Sequence, residues 1–135
     1  THQFCYYMRL IIRQLIVNGI IPVVIEAPDV NFWKLHGKMP IMLVIKDYIR
    51  SIMTGSGMYH YAEYREALRK LVMDEHFQDS VVYITVNSWN DGGCKMNQSL
   101  FLDDEIHLNL KGYRKLDSCI ASFIVDDYNK RFKQR

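Results

Sequence analysis

The run Ile20-Ile21-Pro22-Val23-Val24-Ile25-Glu26 constrains this chain more than any other stretch. Its residues are apolar on consecutive positions, not on alternate ones, so a strand built from it buries both faces. Such strands belong to parallel sheets covered by helices on either side. Pro22 is tolerable near the start of the strand, where a missing N–H costs least. Ala27-Pro28-Asp29 then marks a loop at the strand's C-terminal end. A second run, Ser80-Val81-Val82-Tyr83-Ile84-Thr85-Val86, has the same character and is expected to be the neighbouring strand.

Helical patterns separate these two strands and flank them. Phe4, Tyr7, Met8, Ile11, Leu15 and Ile16 form a stripe at helical spacing, with Arg9 and Arg13 on the other side. Asn18-Gly19 stops that helix, glycine taking the left-handed conformation readily. After Pro40, which suits a first helical turn, Ile41, Val44, Ile45, Tyr48, Ile49 and Ile52 share one face until Thr54-Gly55-Ser56-Gly57 breaks the pattern. A third helix, about Tyr61 to Glu75, is expected to bury Tyr61, Tyr64, Leu68 and Leu71 and to expose Glu63, Arg65, Glu66, Arg69 and Lys70. The last helix carries Tyr113, Leu116, Ile120, Phe123 and Ile124 inward, with Asn109 as its N-cap. Strands alternating with helices predict an α/β fold with right-handed crossovers.

The length of 135 residues suits one domain, and 49% apolar with 24% charged residues is a globular balance. A formal charge of +2, with basic residues dispersed, does not argue for nucleic acid or for a membrane surface. The basic tail from Lys130 to Arg135 reads as a solvated helix end. Arg9, Arg13 and Asn18 interrupt the longest apolar runs, so no membrane span is expected. The opening residues lack the basic, apolar and small-residue succession of a signal peptide. Cys5, Cys94 and Cys119, odd in number and widely spaced, indicate neither a disulfide framework nor a CxxC metal site.

Chemistry concentrates in the polar loop before the last helix. Asp104 and His107 stand three apart. A carboxylate at that spacing can fold back and accept a hydrogen bond from the imidazole Nδ1–H. The tautomer is then fixed, Nε2 is left to take a proton, and the imidazolium is stabilised when it forms. The loop also follows the C-terminal end of a parallel strand, where open α/β sheets place their ligands. Asp103, Asp104, His107 and Cys94 could supply metal ligands, but no CxxC or HxxxH pair accompanies them, and a zinc site is not expected. His36, His60 and His76 sit among polar neighbours and read as solvated; His2 is terminal.

The text around the pair, Asp104-Glu105-Ile106-His107-Leu108-Asn109-Leu110-Lys111-Gly112-Tyr113, resembles the last conserved block of the SGNH (GDSL-type) hydrolases. That block runs Asp-x-x-His, then Asn, then Gly-Tyr into a final helix. Upstream, Asn18-Gly19-Ile20-Ile21-Pro22-Val23-Val24-Ile25-Glu26-Ala27-Pro28 is similar to the family's Gly-Ile, Pro, apolar strand and Pro-containing loop. The resemblance covers nearly the whole chain in order. It implies a three-layer α/β/α fold with a flavodoxin-like parallel sheet. It also implies a serine ester hydrolase acting on a small acyl ester or an acylated carbohydrate, with no cofactor. His107 would be the general base and Asp104 its orienting carboxylate.

The family's Gly-Asp-Ser nucleophile and Gly-x-Asn-Asp oxyanion blocks are not found in these residues. Residues 1–135 are therefore expected to form the C-terminal part of a single SGNH hydrolase-like domain, with the serine on a missing N-terminal segment. The alternative is a non-catalytic binding or structural domain of the same fold. The apolar strands and helix faces would then need neighbours that this stretch does not supply. Ser56 follows a helix, whereas a nucleophile elbow follows a strand, so Gly55-Ser56-Gly57 reads as a flexible turn. Ser88-Trp89-Asn90-Asp91 also reads as a turn, with Trp89 a candidate wall for an acyl pocket. Phe32, Trp33, Met58, Tyr59, Tyr61 and Tyr64 fit a hydrophobic groove and core packing equally well.

Overall fold

The structure, a computed structural model, describes residues 2–30, 40–54 and 61–133. In chain order its helices and strands are α1 (His2–Val17), β1 (Val23–Ile25), α2 (Ile41–Thr54), α3 (Tyr61–Asp74), β2 (Val82–Ile84), the short α4 (Val86–Trp89) and α5 (Leu110–Phe132). Single 3-10 turns lie at Phe77–Asp79 and Gln98–Leu100. Among the described residues no helix is long and apolar enough to cross a membrane.

β1 and β2 pair in parallel, with Val23 opposite Val82, Val24 opposite Tyr83 and Ile25 opposite Ile84. Pro22 extends the ladder as an acceptor, its carbonyl taking the Val82 N–H at 2.8 Å, and the Glu26 N–H closes it on the Ile84 carbonyl at 2.9 Å. The fold is thus mixed α/β with a parallel sheet, as the strand patterns require. Both strands are shorter than expected. Ile20 and Ile21 are exposed and lie outside β1. Val86 does not continue β2 but opens α4, with its N–H drawn onto a side-chain carboxylate.

Side chains alternate across a strand, and each face of this small sheet carries its own apolar cluster. On one face Val24 meets Ile12 of α1, Leu68, Leu71 and Val72 of α3, Phe77 and Val81, with Phe4, Met8, Ile16 and Tyr83 packed alongside. On the other, Val82 and Ile84 join Val86 and Trp89 under Leu116, Ile120 and Phe123 of α5, with Ile25 beside them. The inward row of α1 is therefore Phe4, Met8, Ile12 and Ile16, with Ile12 buried and the others half-buried. Tyr7 and Ile11, expected inward, are exposed, as are Tyr113 and Ile124 of α5. Arg9 and Arg13 both pair with Glu75 just beyond α3, which draws the Arg side of α1 toward that helix.

Arg65 and Trp89 also depart from expectation. Arg65 is 6% exposed, not solvated as its helical position suggests. Its Nη1 donates to the Ala27 carbonyl at 3.0 Å and to Asp29 Oδ1 at 2.8 Å, so the guanidinium holds the loop that leaves β1. Trp89, 2% exposed, is a core residue of the second cluster and presents no pocket wall.

Candidate active site

The chain from Trp89 to Leu110 is held by amide side chains. Asn90 is fully buried; its Nδ2 donates to the carbonyls of Gly93 and Lys95, both at 2.9 Å. Asn97 caps the next 3-10 turn, its Oδ1 accepting from the Ser99 N–H. Asn109 is the N-cap of α5 as the sequence suggests, its Oδ1 accepting the Gly112 N–H at 3.0 Å. Its Nδ2 reaches back to the carbonyls of Ser99 and Phe101. Gly112 is required for a different reason: a Cβ there would stand 2.2 Å from the Leu100 carbonyl oxygen. The Asn-x-x-Gly spacing thus seats the first turn of α5 directly on the end of the 3-10 turn at Leu100 and on the bridge residue Phe101. A bridge between Phe101 and Leu108, and the Leu102 N–H donating to the His107 carbonyl at 2.8 Å, close the loop 102–107 into a tight excursion.

Asp104 and His107 meet at the tip of that excursion. Asp104 Oδ2 lies 2.7 Å from His107 Nδ1. Asp104 Oδ1 accepts the backbone N–H groups of Ile106 at 2.9 Å and His107 at 3.0 Å, which folds the turn between them. Glu105 takes a left-handed conformation, φ 58°, inside that turn. The His107 hydrogen bond, followed by the two backbone N–H groups, holds the Asp104 carboxyl well below the usual carboxylate range. It is an anion at neutral pH and can only accept. The His107 side chain is 70% exposed. With Nδ1 engaged by Asp104, Nε2 is the ring nitrogen left to exchange a proton with another group.

Other candidates fall elsewhere. Among the described residues no group of three or more His, Cys, Asp or Glu could hold a metal ion, so Asp103, Asp104, His107 and Cys94 do not converge on one. Ser88 Oγ shares a hydrogen bond with Thr85 Oγ1 at 3.0 Å. Tyr61 and Tyr64 lie on α3, and the Tyr64 ring packs edge-on against Phe4 of α1. Ser56, Phe32, Trp33, Met58, Tyr59, His36 and His60 lie outside the described residues.

One polar cluster has no counterpart in the sequence reading. Glu26, at the end of β1, is 1% exposed. Its Oε1 accepts from the Tyr83 hydroxyl and from Arg69 Nη2 at 2.8 Å; its Oε2 accepts the Val86 N–H at 2.9 Å. Burial pushes the carboxyl up, but Tyr83, Val86 and Arg69 together outweigh it and keep Glu26 below its ordinary value. Burial, with the neighbouring carboxylate, raises the Tyr83 phenol so that it stays a donor. Glu26 therefore ties the C-terminal ends of both strands to α3 and fixes where α4 begins. The one sequence signal for it was an acidic residue closing an otherwise apolar strand. Comparison with known protein families, with curated proteins and with solved structures returns no match.

Proposed function

We propose that this chain supplies the acid–base half of a serine ester hydrolase of the SGNH type, within a three-layer α/β/α domain. The observation that carries the reading is the 2.7 Å contact between Asp104 Oδ2 and His107 Nδ1 in the loop ahead of α5. In this reading His107 Nε2 takes the proton from a serine hydroxyl as the oxygen attacks the ester carbonyl carbon. The imidazolium, steadied by the Asp104 anion, then gives that proton to the departing alcohol. In the second half His107 deprotonates a water as it attacks the acyl carbon; the bond to the serine oxygen breaks, the acid leaves and the imidazolium returns the proton to the serine. The acyl group or acylated carbohydrate is bound by residues shared with the segment that brings the serine.

Exposed apolar surface supports the presence of such a segment. Ile20 and Ile21 just ahead of β1, Val23 within it, and Tyr6, Tyr7, Leu10 and Ile11 on the outer side of α1 are all exposed and offer apolar area to a further strand and helix. Turnover of a short-chain aryl ester by the protein that includes the serine-bearing segment tests the reading. His107→Ala should lower kcat by several orders of magnitude, the scale expected for loss of a triad member, with Asp104→Asn comparable or milder. Unchanged turnover in a folded His107→Ala protein would contradict it. Absence of turnover in the wild-type protein that includes that segment would favour the non-catalytic alternative.

A further inference from the structure

Among the described residues three non-glycine positions take a positive φ: His76 at 55°, Asp91 at 52° and Glu105 at 58°. His76 and Asp91 each lie two residues beyond a helix, where a left-handed residue ordinarily ends it. Histidine and aspartate are also residue types that enter this region comparatively often. Glutamate is not, and Glu105 follows no helix. It stands between the two members of the candidate pair.

Its place in the loop explains what the conformation accomplishes. The Phe101–Leu108 bridge sets Leu102 opposite His107, so residues 103–106 must reverse the chain. The Glu105 N–H donates to the Leu102 carbonyl at 2.9 Å and closes a first turn. From there the chain must swing so that the next two N–H groups, of Ile106 and His107, both face Asp104 Oδ1, at 2.9 and 3.0 Å. The left-handed step at Glu105 makes that swing. A right-handed or extended residue would turn both donors from the carboxylate, and with them the imidazole whose Nδ1 lies 2.7 Å from Oδ2. A residue with a Cβ is penalised in this conformation and keeps it only where its surroundings over-determine it. Three hydrogen bonds to one carboxylate do so here.

We propose that Glu105 is a positioning residue for His107, acting through its left-handed backbone and not through its carboxylate. Position 105 then accepts glycine or asparagine and rejects a β-branched residue, whose Cβ substituents crowd the left-handed region most. The placement is a property of the turn; that it serves proton transfer rests on the esterase reading.

NMR of the intact protein tests it with Glu105→Gly, Glu105→Asn and Glu105→Val. All three lack the carboxylate, so they separate backbone preference from loss of the side chain. Amide exchange is compared after correction for the intrinsic rate of each sequence. In the Gly and Asn variants the Ile106 and His107 amides should exchange no faster than in the wild type, and the neutral His107 ring should keep its proton on Nδ1. In Glu105→Val the two amides should exchange at least about tenfold faster. The Val82 and Glu26 amides, which close the β1–β2 ladder, should be unchanged. In the protein that includes the serine-bearing segment, Glu105→Val should lower kcat at least about tenfold with KM little altered. Absence of turnover beside the expected exchange pattern would count against the esterase reading and leave the positioning role supported. Equal exchange in the Val and Asn variants overturns the proposal. So does equal loss of protection in all three, which would assign the positioning to the carboxylate. Should Glu105→Val not fold, Glu105→Ala should exchange at those amides about fivefold faster than Glu105→Gly, and equal rates overturn the proposal.

Discussion

Glu26 and Asp104 are both carboxylates that follow strands of the same small sheet, and both sit below the ordinary carboxylate pKa, yet they do opposite work. Glu26 is sealed among Tyr83, Arg69 and Val86, donors drawn from three elements distant in sequence. Every one of its contacts is consumed in holding the strand ends together. Asp104 bonds only within its own turn, to residues two and three positions on, and the imidazole it orients is 70% exposed. The difference separates a carboxylate that builds the platform from one whose partner faces solvent. A lowered pKa alone does not tell them apart; the direction in which the partner's free atoms point does.

Removing Glu26 should have the largest effect on stability. Glu26→Ala leaves the Val86 N–H and the Tyr83 hydroxyl without an acceptor in the core and should cost about 3 kcal/mol. Arg69 contributes little to that figure, because its side chain is 42% exposed and water screens its share. Because the folded-state pKa of Glu26 is depressed, its contribution is present above the unfolded carboxylate value. It is lost as pH falls through the folded one. Urea unfolding from pH 7 to pH 3 should show the wild type losing its advantage over Glu26→Ala below about pH 4.5, near the unfolded carboxylate value. A constant gap across that range would remove Glu26 from the role of ionised staple.

Gly112→Ala should come next, at about 2 kcal/mol, because the added methyl collides with a backbone oxygen that α5 cannot easily leave. The same change should broaden the His107 ring resonances, since the first turn of α5 anchors the segment that closes on His107. Asp104→Asn should scarcely move the melting temperature, in contrast to Glu26→Ala. A loss of stability as large as that of Glu26→Ala would turn Asp104 into a second structural carboxylate and erase the contrast.

The parallel pairing, the helix order, the Asn109 cap and the meeting of Asp104 with His107 were all legible in the sequence, because each rests on local spacing or on strand hydrophobicity. What was illegible depends on partners far along the chain. Arg65 occupies a polar position of an amphipathic helix, and periodicity alone places it in water. Its acceptors, Asp29 and the Ala27 carbonyl, lie 36 and 38 residues away and are needed to bring it in. The strand ends were misjudged for a similar reason: Val86 is as apolar as Val82, but the Glu26 carboxylate captures its N–H and starts a helix there. The sides of α1 and α5 were assigned from a single stripe. Tyr7, Ile11, Tyr113 and Ile124 show that these helices carry more apolar surface than this stretch of sheet can cover.

The central claim is that His107, held by Asp104, activates a serine. A fluorophosphonate carrying a reporter group reacts with such a serine without needing the natural substrate. The protein that includes the serine-bearing segment should be labelled on one serine, identified by mass spectrometry, at a rate that falls by at least about a thousandfold in His107→Ala while the fold is retained. Labelling of a folded His107→Ala protein at the wild-type rate, or no labelled serine in the wild type, would contradict the account.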